Sequence, residues 1–391
     1  MHILIIPSEE FMTTNTPFGG IFQWHQAKAL SENGFQVGII NVRELGPKIL
    51  FKKHRYNAFE EVDSIPVYRS YKVSLVPPRY QSIKQNIDDN YKIVKKLLDK
   101  YIKRYGKPDV IHAHNFYYAG LIAQKIKENY QIPYIVTEHS STYARGLINN
   151  ELFPFILSSS AQASIITAVS SHFAKLLKDE LSKQNIQLLP NVVDKLFFKI
   201  DTNITKRKTF TFLNVASLDV NKNHCLLLNS FAVSFKNKNI DLHIVGEGTL
   251  LDDLKKLALN LGVDKQVKFL GRLSQDEVKE EMSKSHCFVL SSSYETFGVV
   301  LIESLACGVP VIATRCGGPE DIVDEKNGIL VEVNDEVAFS KAMEAMNRNI
   351  LNYNKKAIIG NTKEKFGEKA FVYNAKKYYM DILGLNNDNN S

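Results

Sequence analysis

One stretch of this chain decides the fold that we expect: residues 291–312 read SSSYETFGVVLIESLACGVPVI. The apolar residues before it predict a buried strand, and residues 299–307 predict a helix that Gly308 ends. Glu295 then lies in the loop between strand and helix, and Glu303 lies one to two turns inside the helix. At about 1.5 Å rise per residue, the two carboxylates are expected roughly 8–12 Å apart.

This spacing of the two glutamates suits the two ends of one elongated ligand. A pair that works on a single glycosidic bond is expected at roughly 5–9.5 Å. Between the glutamates, the backbone N–H groups of Phe297, Gly298 and Val299 open the predicted helix, and a helix N-terminus favours an anion such as a diphosphate. The stretch therefore predicts a site for an elongated, anionic ligand.

The composition is that of a globular protein large enough for two domains. Of the 391 residues, 44% are hydrophobic and 23% are charged, which argues against a disordered or fibrous chain. No apolar run approaches the roughly 20 residues of a membrane span, and residues 1–7 predict a first strand and not a signal peptide. The cysteines lack metal-ligand spacing, so we expect a reduced, cytoplasmic protein without a zinc site.

The net charge of +7 is unevenly distributed. Roughly a third of the Lys and Arg residues fall between Arg43 and Lys107, in a segment that begins irregularly and ends in a helix with an apolar stripe. Aromatic residues are interleaved with them: Phe51, Tyr56, Phe59, Tyr68, Tyr71 and Tyr80. Such a surface suits an anionic membrane face or a lipid-diphosphate acceptor, although an ordinary solvated surface would look the same. Nucleic acid is not expected, because no binding motif accompanies the charge.

Strands and helices alternate in two successive runs, one before and one after residues 190–194. Strands of the first run are predicted over 3–6, 36–41, 109–113, 133–137, 164–169 and 187–189. Strands of the second run are predicted over 210–216, 241–245, 267–270, 286–290, 309–313 and 329–333. Strands separated by helices imply parallel βαβ units. We therefore expect an α/β protein with two Rossmann-like, doubly wound domains, whose ligands lie beyond the C-terminal ends of the strands.

The frame around the two glutamates resembles a known family. Glu-x-Phe-Gly, four residues, Glu, then Ala-Cys-Gly-Val-Pro-Val-Ile-Ala and Gly317-Gly318-Pro319-Glu320 resemble the donor-binding segment of the retaining GT-B glycosyltransferases of family 4. The resemblance covers essentially the whole chain. It implies two domains that face a cleft: an acceptor-binding domain, 1–190, to which a helix at 366–384 returns, and a nucleotide-sugar-binding domain, 191–365.

The resemblance also implies donor-binding roles. Glu303 would hold the ribose hydroxyls, while Glu295 and the backbone from Thr296 to Gly298, with Val299 beyond it, would hold the sugar. Lys222 would take the diphosphate. Further donor contacts are implied at the turns and glycines that follow strands: Gly19, Gly20, Gly246, Leu270 and Arg272.

The chain departs from the family at one position. The family has an Arg five residues before the Lys, and Ser217 occupies that place. The missing guanidinium would weaken neutralisation of the diphosphate, unless Arg272 or Arg315 compensates. No Gly-x-Gly-x-x-Gly follows the first strand, which argues against a nicotinamide dinucleotide.

Three histidines lie near the ends of two predicted strands. His139 follows the strand 133–137, where the family places a His near the donor sugar's C6 hydroxyl, and it is the catalytic candidate together with Glu295. His114, at the end of the strand 109–113, is the candidate for the acceptor side. His112 alternates into that strand and is expected to be a core histidine.

The implied activity is retaining transfer of a sugar from a nucleotide-diphosphate sugar to a glycan or lipid-linked acceptor, in cell-surface polysaccharide synthesis. A UDP-sugar is expected before a GDP-sugar. No Asp-x-Asp motif is present, so we expect neither a metal nor another cofactor, and the leaving charge would fall to Lys222 and helix N-termini. The protein would be cytoplasmic, with peripheral contact to the inner face of the membrane.

Three alternatives remain open from the sequence. A GT-B UDP-sugar 2-epimerase would share the two domains and the nucleotide site but would need no acceptor. A sugar-nucleotide binding module without activity would explain Ser217. A phosphorylase would need a lysine-bound pyridoxal phosphate.

Overall fold

The computed structural model describes residues 1–9, 19–45, 57–74, 82–199 and 204–385. The chain divides into two compact units. The first unit consists of Met1–Val169, Phe173–Asn191 and the C-terminal residues from Phe371, and the second consists of Ser170–His172 and Val192–Ala370. Both are built on a mainly parallel sheet with helices, so the predicted α/β class is confirmed.

The described part of the first unit holds an eight-stranded sheet. Its strands in chain order are β1 (His2–Ile6), β2 (Gln36–Leu45), β3 (Asn57–Val62), β4 (Ile65–Val73), β5 (Val110–His114), β6 (Tyr134–Glu138), β7 (Ile165–Ala168) and β8 (Gln187–Leu188). They lie in the order β3-β4-β2-β1-β5-β6-β7-β8. All neighbours pair in parallel except β3 with β4. The central strands β1, β5 and β6 are buried along their whole length, which explains their continuous apolar character.

In the described residues of this half, five α-helices connect the strands: α1 (Ile21–Glu32), α2 (Ile83–Tyr105), α3 (Leu121–Tyr130), α4 (Phe153–Gln162) and α5 (Ser171–Leu181). The apolar stripe predicted for α2 is confirmed, because Val94, Leu98 and Tyr101 are buried. Trp24 in α1 is the only tryptophan of the chain and is 5% exposed.

The hairpin of β3 and β4 corrects the sequence analysis, which treated this basic segment as irregular. The two strands pair in antiparallel fashion from Asn57↔Ser70 to Val62↔Ile65. Asp63 and Ser64 form the turn with positive φ angles of 46° and 64°. Two-residue turns with two positive φ angles most often have the sequence Asn-Gly. The sequence Asp-Ser at this turn therefore did not indicate a hairpin. Residues 46–56 and 75–81, which include Phe51, Tyr56 and Tyr80, lie outside the described residues.

The second unit is built on a six-stranded sheet in its described residues. The strands are β9 (Phe210–Val215), β10 (Ile240–Val245), β11 (Val267–Gly271), β12 (Cys287–Leu290), β13 (Val311–Thr314) and β14 (Gly328–Val331). Their order is β11-β10-β9-β12-β13-β14, and all neighbours are parallel. Every one of these strands was predicted to within two residues at each end, because each apolar run is short and bounded by polar or glycine residues.

The helices between these strands are α6 (His224–Phe235), α7 (Leu251–Leu261), α8 (Gln275–Lys284) and α9 (Val299–Ala306). Two more helices follow β14: α10 (Glu336–Asn349) and α11 (Lys355–Phe366). The core of the unit is apolar, with Phe231, Phe288 and Met343 fully buried. The last helix, α12 (Glu368–Ile382), packs its later turns in the first unit. There Tyr379 Oη lies 2.7 Å from His112 Nδ1, and Tyr378 Oη donates to Leu188 O.

Within the described ranges, no helix is both long and apolar enough to cross a membrane.

Candidate functional site

The loop between β12 and α9 is held by backbone hydrogen bonds to the turn after β13. Glu295 N donates to Cys316 O at 2.9 Å, and Gly318 N donates to Glu295 O at 2.8 Å. Helix α9 begins at Val299 after Gly298, whose φ of 102° favours glycine. The predicted order of strand, loop with Glu295 and helix with Glu303 is therefore present, and the loop has a second anchor that lies about twenty residues further along the chain.

The two glycines of the Gly317-Gly318 pair are needed for this anchoring. A Cβ at Gly318 would lie 2.2 Å from Phe297 Cα and 2.3 Å from Phe297 O. Gly317 has a φ of 114°, and a Cβ there would lie 2.7 Å from Glu295 O. The Phe297 side chain is 2% exposed and meets Phe366 edge-on. The Glu-x-Phe-Gly and Gly-Gly-Pro-Glu motifs thus pack directly against each other.

Lys222 and Glu295 are brought into contact. Lys222 Nζ lies 2.6 Å from Glu295 Oε1, and Ser292 Oγ donates to the same carboxylate oxygen at 2.8 Å. Both charged side chains are mostly buried, with 22% of the lysine and 14% of the glutamate exposed. Sequence analysis assigned these residues to the diphosphate and to the sugar respectively, and the structure places them as neighbours in one site.

Further hydrogen bonds join the turn that contains Lys222 to the loop between β12 and α9. Asn221 Nδ2 donates to Tyr294 O at 3.0 Å, and Ser293 N donates to Asn221 O at 2.7 Å. Ser291 Oγ donates to Lys222 O at 2.9 Å. Asn221 was not singled out by the sequence analysis, because an Asn beside a lysine in a polar turn has no distinctive pattern.

Ser217, which stands where the family has an Arg, is bound locally. Its Oγ donates to Asp219 Oδ2 at 2.6 Å, and Asp219 accepts from Asn221 N at 2.9 Å. Of the two arginines considered as substitutes, Arg315 Nε lies 3.3 Å from Glu332 Oε1. Arg272 is exposed just beyond β11. The described ion pair of Arg315 is thus with Glu332, whereas that of Lys222 is with Glu295.

Glu303 lies on α9 and is 9% exposed. Burial, and secondarily the charge of Asp194, raise the pKa of its carboxyl group to about 8. The group is therefore mostly protonated near neutral pH, and ligand hydroxyls that donate to it would favour the ionised form.

Gly246 and Gly248 follow β10 and meet the chain's own backbone. A Cβ at Gly246 would lie 1.8 Å from Ala216 O, and one at Gly248 would lie 2.3 Å from Leu218 O. Gly246 N also donates to Gly271 O at 2.8 Å. The turns after β9 and β10 are therefore packed against each other and against the end of β11, the strand that contains Leu270, at the C-terminal edge of the sheet.

Two further predicted contacts involve backbone. Thr296 O accepts a hydrogen bond from Ser170 Oγ at 2.6 Å, so this carbonyl already has a partner. Gly20 has a φ of 60° at the start of α1 and accepts from Trp24 N. The loop that precedes Gly19, residues 10–18, lies outside the described residues.

The three histidines of the first unit form one stack. The rings of His112 and His114 lie 4.5 Å apart at 15°, and those of His114 and His139 lie 5.2 Å apart at 30°. His112 is fully buried and bonds Thr137 Oγ1 and Tyr379 Oη, so its prediction as a core histidine is confirmed. His114 is also fully buried, and its Nδ1 lies 3.0 Å from His139 Nε2. In this position it has no surface that a ligand could touch.

Glu138 organises the backbone around His139. Its carboxyl oxygens accept from the N–H groups of Phe116, His139 and Ser140 at 2.8, 3.1 and 2.9 Å. The residue is 1% exposed, and burial raises the pKa of its carboxyl group to about 7. Glu138 was not among the residues predicted for the site. The sequence feature that could have identified it is its position as the last residue of a mostly apolar strand.

His139 is neutral at physiological pH. Burial, with a smaller effect of His112, lowers the pKa of its imidazole to about 3. Its ring packs against Phe22 at 5.0 Å. It can therefore act as a hydrogen-bonding group and not as a cation.

Two protein families match the chain in succession. The family described as Glycosyltransferase Family 4 matches residues 21–195, and the family described as Glycosyl transferases group 1 matches residues 197–369. The second of these ranges contains Lys222, Glu295 and Glu303, and the first contains His139.

Individual relatives are similar over most of the chain. N-acetyl-alpha-D-glucosaminyl L-malate synthase from Bacillus anthracis is 29% identical over 295 residues, which cover 70% of this chain and 75% of that protein. Sucrose-phosphate synthase from Thermosynechococcus elongatus superimposes with a TM-score of 0.76 at 18% identity, over 98% of this chain and 100% of that one. HepE from Anabaena, solved with UDP, gives a TM-score of 0.72 at 15% identity, over 97% and 100%. The structural likeness shows that the predicted GT-B fold is present.

Proposed function

This chain belongs to the group 1, family 4 glycosyltransferases, and from that membership we propose that it transfers a sugar from a UDP-sugar to a glycan or lipid-linked acceptor with retention of anomeric configuration. The observation that carries the proposal is the convergence of Lys222, Ser292 and Glu295 in the unit that also holds Glu303. A cation and two carboxyl groups around a helix N-terminus suit a ligand with ribose, diphosphate and sugar in a row.

The donor would be bound through its three parts. Glu303 would accept hydrogen bonds from the ribose hydroxyls. The Lys222 ammonium would exchange its contact with Glu295 for the diphosphate, and the first N–H groups of α9 would share that charge. Glu295, released from the lysine, would accept from hydroxyls of the sugar. The glycine-lined turns after β10 and β11, with Leu270 and Arg272, would lie against the nucleoside, and Gly19 and Gly20 against the diphosphate.

The proposed reaction needs no group beyond donor and acceptor. The acceptor hydroxyl attacks the anomeric carbon on the face from which UDP leaves, and the bond from that carbon to the phosphate oxygen breaks. The hydroxyl proton passes to the leaving phosphate oxygen. Lys222 would stabilise the negative charge that develops on the diphosphate, and neutral His139 would hydrogen-bond the sugar.

UDP is proposed as the nucleotide because the Anabaena HepE neighbour was solved with UDP and because the relative from Bacillus anthracis bears the name of an N-acetylglucosaminyl synthase. We propose a lipid-linked acceptor, and a location at the inner face of the membrane, because one face of α2 is positively charged. Lys96, Lys100 and Lys103 are exposed on one face of α2, and none forms an ion pair with a described residue. Anionic lipid attracts such a face.

Calorimetric titration of the wild type and Glu303→Ala with UDP, GDP and ADP tests the donor site. We expect UDP to bind and the alanine variant to lose that binding. If no nucleotide binds at millimolar concentration, the donor assignment is wrong and a binding module for another ligand becomes the better explanation.

A second experiment tests the reaction class. Incubation with UDP-sugars and acceptor, followed by NMR of the product, should give an α-linkage from an α-configured donor. A β-linkage would contradict retention, and conversion of the UDP-sugar without acceptor would favour the epimerase. Activity that survives chelation by EDTA would support independence from metal.

A further inference from the structure

We propose that His114 is a positioning residue that holds His139 in the neutral tautomer with its proton on Nδ1. In this tautomer Nδ1–H is the group that His139 offers to the sugar. The ligand contact of His139 rests on the proposed function, whereas the tautomer itself follows from the structure of the first unit.

The contact that carries the inference joins two ring nitrogens. His114 Nδ1 lies 3.0 Å from His139 Nε2, so one of them must donate to the other. The two remaining nitrogens, His114 Nε2 and His139 Nδ1, are buried and have no hydrogen-bond partner in the part of the chain that the structure describes. A buried polar atom without a partner calls for an explanation, and a ligand that completes the site is one.

Two arrangements of the protons are possible, and they differ in where an unpaired N–H is left. If His139 Nε2–H donates, His114 must carry its own proton on Nε2, inside a residue with 0% exposure. If His114 Nδ1–H donates, the unpaired N–H is His139 Nδ1, on a residue that keeps some exposed surface. Both nitrogens are buried, so each arrangement leaves one N–H without a partner among the described residues. A ligand could reach that N–H only on His139, because His114 has no exposed surface. We therefore infer the second arrangement, in which a ligand can satisfy the unpaired N–H.

The His114 ring is held in place for this role. It stacks on His112, both of whose ring nitrogens are bonded, one to Thr137 and one to Tyr379. The carbonyl group of His114 accepts from Ser8 Oγ, which also donates to Tyr117 O at 2.8 Å. On the other side of the contact, Asn115 Oδ1 accepts from His139 N at 2.8 Å. Both histidines that form the nitrogen–nitrogen contact are thus held in place by their surroundings.

The tautomer matters because the ring stays neutral. Burial lowers the pKa values of His112 and His139 to about 3, so neither carries charge at physiological pH. A neutral histidine in water prefers the proton on Nε2, and the proposed arrangement reverses that preference. The residue then presents a donor where an unrestrained histidine would present an acceptor.

The test uses the full chain labelled with ¹⁵N-histidine, without donor. Long-range proton–nitrogen correlation spectra distinguish the two neutral tautomers, and His139→Gln identifies which signals belong to His139. We expect the Nδ1–H tautomer in the wild type. His114→Phe removes the donor and should return His139 to the Nε2–H tautomer. His114→Asn, whose amide nitrogen can occupy the Nδ1 position, should keep the Nδ1–H form.

A matched control is Tyr379→Phe. It removes a hydrogen bond to His112 and leaves the contact between His114 and His139 intact, so the His139 spectrum should not change. An Nε2–H signal for His139 in the wild type would overturn the proposal even if His114→Phe failed to fold. The proposal would also be overturned if His139 had the same tautomer in His114→Asn and in His114→Phe.

Kinetics give the second readout. We expect His114→Phe to lower kcat about tenfold while the donor KM stays within about twofold, and His114→Asn to restore most of kcat. Because the tautomer is read on the free protein, failure of the proposed transferase activity would not be confused with failure of this inference. A tautomer change that leaves kcat intact would refute the role of Nδ1–H toward the sugar.

Discussion

Lys222 Nζ lies 2.6 Å from Glu295 Oε1, in a pair that is mostly buried and is joined by Ser292. The cation expected to hold the diphosphate and the carboxylate expected to hold the sugar are therefore each other's partners. A diphosphate that takes over the ammonium group frees the carboxylate. If the predicted roles are correct, this one ion pair would couple the binding of the diphosphate to that of the sugar.

Substitution of Lys222 by Ala should weaken UDP binding roughly 10–100-fold, because a hydrogen bond to a charged group contributes about 1.5–3 kcal/mol. Isothermal calorimetry measures the change. Lys268→Ala is the matched control, since Lys268 also pairs with a carboxylate, Asp241, in the same unit but at the exposed edge strand. If both variants bind UDP like the wild type, Lys222 does not hold the diphosphate.

Glu303→Gln should change the pH dependence of stability. Burial, and secondarily Asp194, raise the pKa of Glu303 from 4.5 to about 8. Between these values the unfolded chain is ionised at this residue while the folded chain keeps the proton, so the wild type loses stability as pH rises through that window. The Gln variant should gain a few kcal/mol over the wild type above pH 8 and nothing below pH 4.5, since one pKa unit corresponds to about 1.4 kcal/mol.

Urea unfolding at several pH values measures this difference. Glu325→Gln, a change at an exposed carboxylate near the end of the same sheet, should run parallel to the wild type. A constant offset between Glu303→Gln and the wild type at all pH values would show that the carboxyl group is not held protonated.

Ser217→Arg should strengthen diphosphate binding. It places a guanidinium five residues before Lys222, where the family has one, and Asp219 lies within reach to orient it. One added charged hydrogen bond would raise UDP affinity about tenfold. Ser217→Ala removes the hydroxyl bond to Asp219 without adding charge, and it should leave the affinity nearly unchanged. An equal response of both variants would mean that the position does not face the diphosphate.

Gly318→Ala should disrupt the anchored loop, because the new Cβ would lie 2.2 Å from Phe297 Cα. Forcing extra atoms into a packed site costs about 1–3 kcal/mol, and the displaced loop should also lose UDP affinity. Gly360→Ala is the control: Gly360 lies in α11 with open space around it, and alanine there should stabilise by up to about 1 kcal/mol. If the close approach of Gly318 to Phe297 were unimportant, thermal unfolding would show the same change in stability for Gly318→Ala and Gly360→Ala.

Charge reversal at Lys96, Lys100 and Lys103 should abolish flotation with anionic liposomes, because these side chains form an exposed face of α2. A triple reversal of Lys255, Lys256 and Lys265, exposed in the second unit, changes the net charge equally. It should leave flotation intact. Absence of salt-sensitive flotation in the wild type would point to a soluble acceptor.

The second sheet and the segment around Glu295 could be predicted from sequence because each of their parts is local. A short apolar run, a polar turn and an amphipathic helix follow one another, and Gly298 precedes and Gly308 follows α9 at positive φ angles that favour glycine. The glycosyltransferase family and the GT-B fold followed from the same frame and are confirmed. The predicted residue roles at the donor site stay predictions, to be tested as above.

The sequence could not show contacts between segments that lie far apart along the chain. The pairing of Lys222 with Glu295 depends on β9 and β12 lying side by side, and the Phe297 packing that demands Gly318 depends on β13. Helix α3 begins at Leu121, after a distorted turn in which Tyr118 has a φ of 65°. Glu138 holds that turn through Phe116 N, and no local pattern announces such a contact.

Trp24 is the single tryptophan of the chain, and it lies buried in α1 of the first unit. Tryptophan emission therefore reports on the first unit alone, while circular dichroism reports on both. A denaturation curve followed by both signals would separate the melting of the two units without any label. Because Trp24 N donates to Gly20 O at the start of α1, the same emission could be followed during titration with UDP, as an optical test for binding beside that glycine.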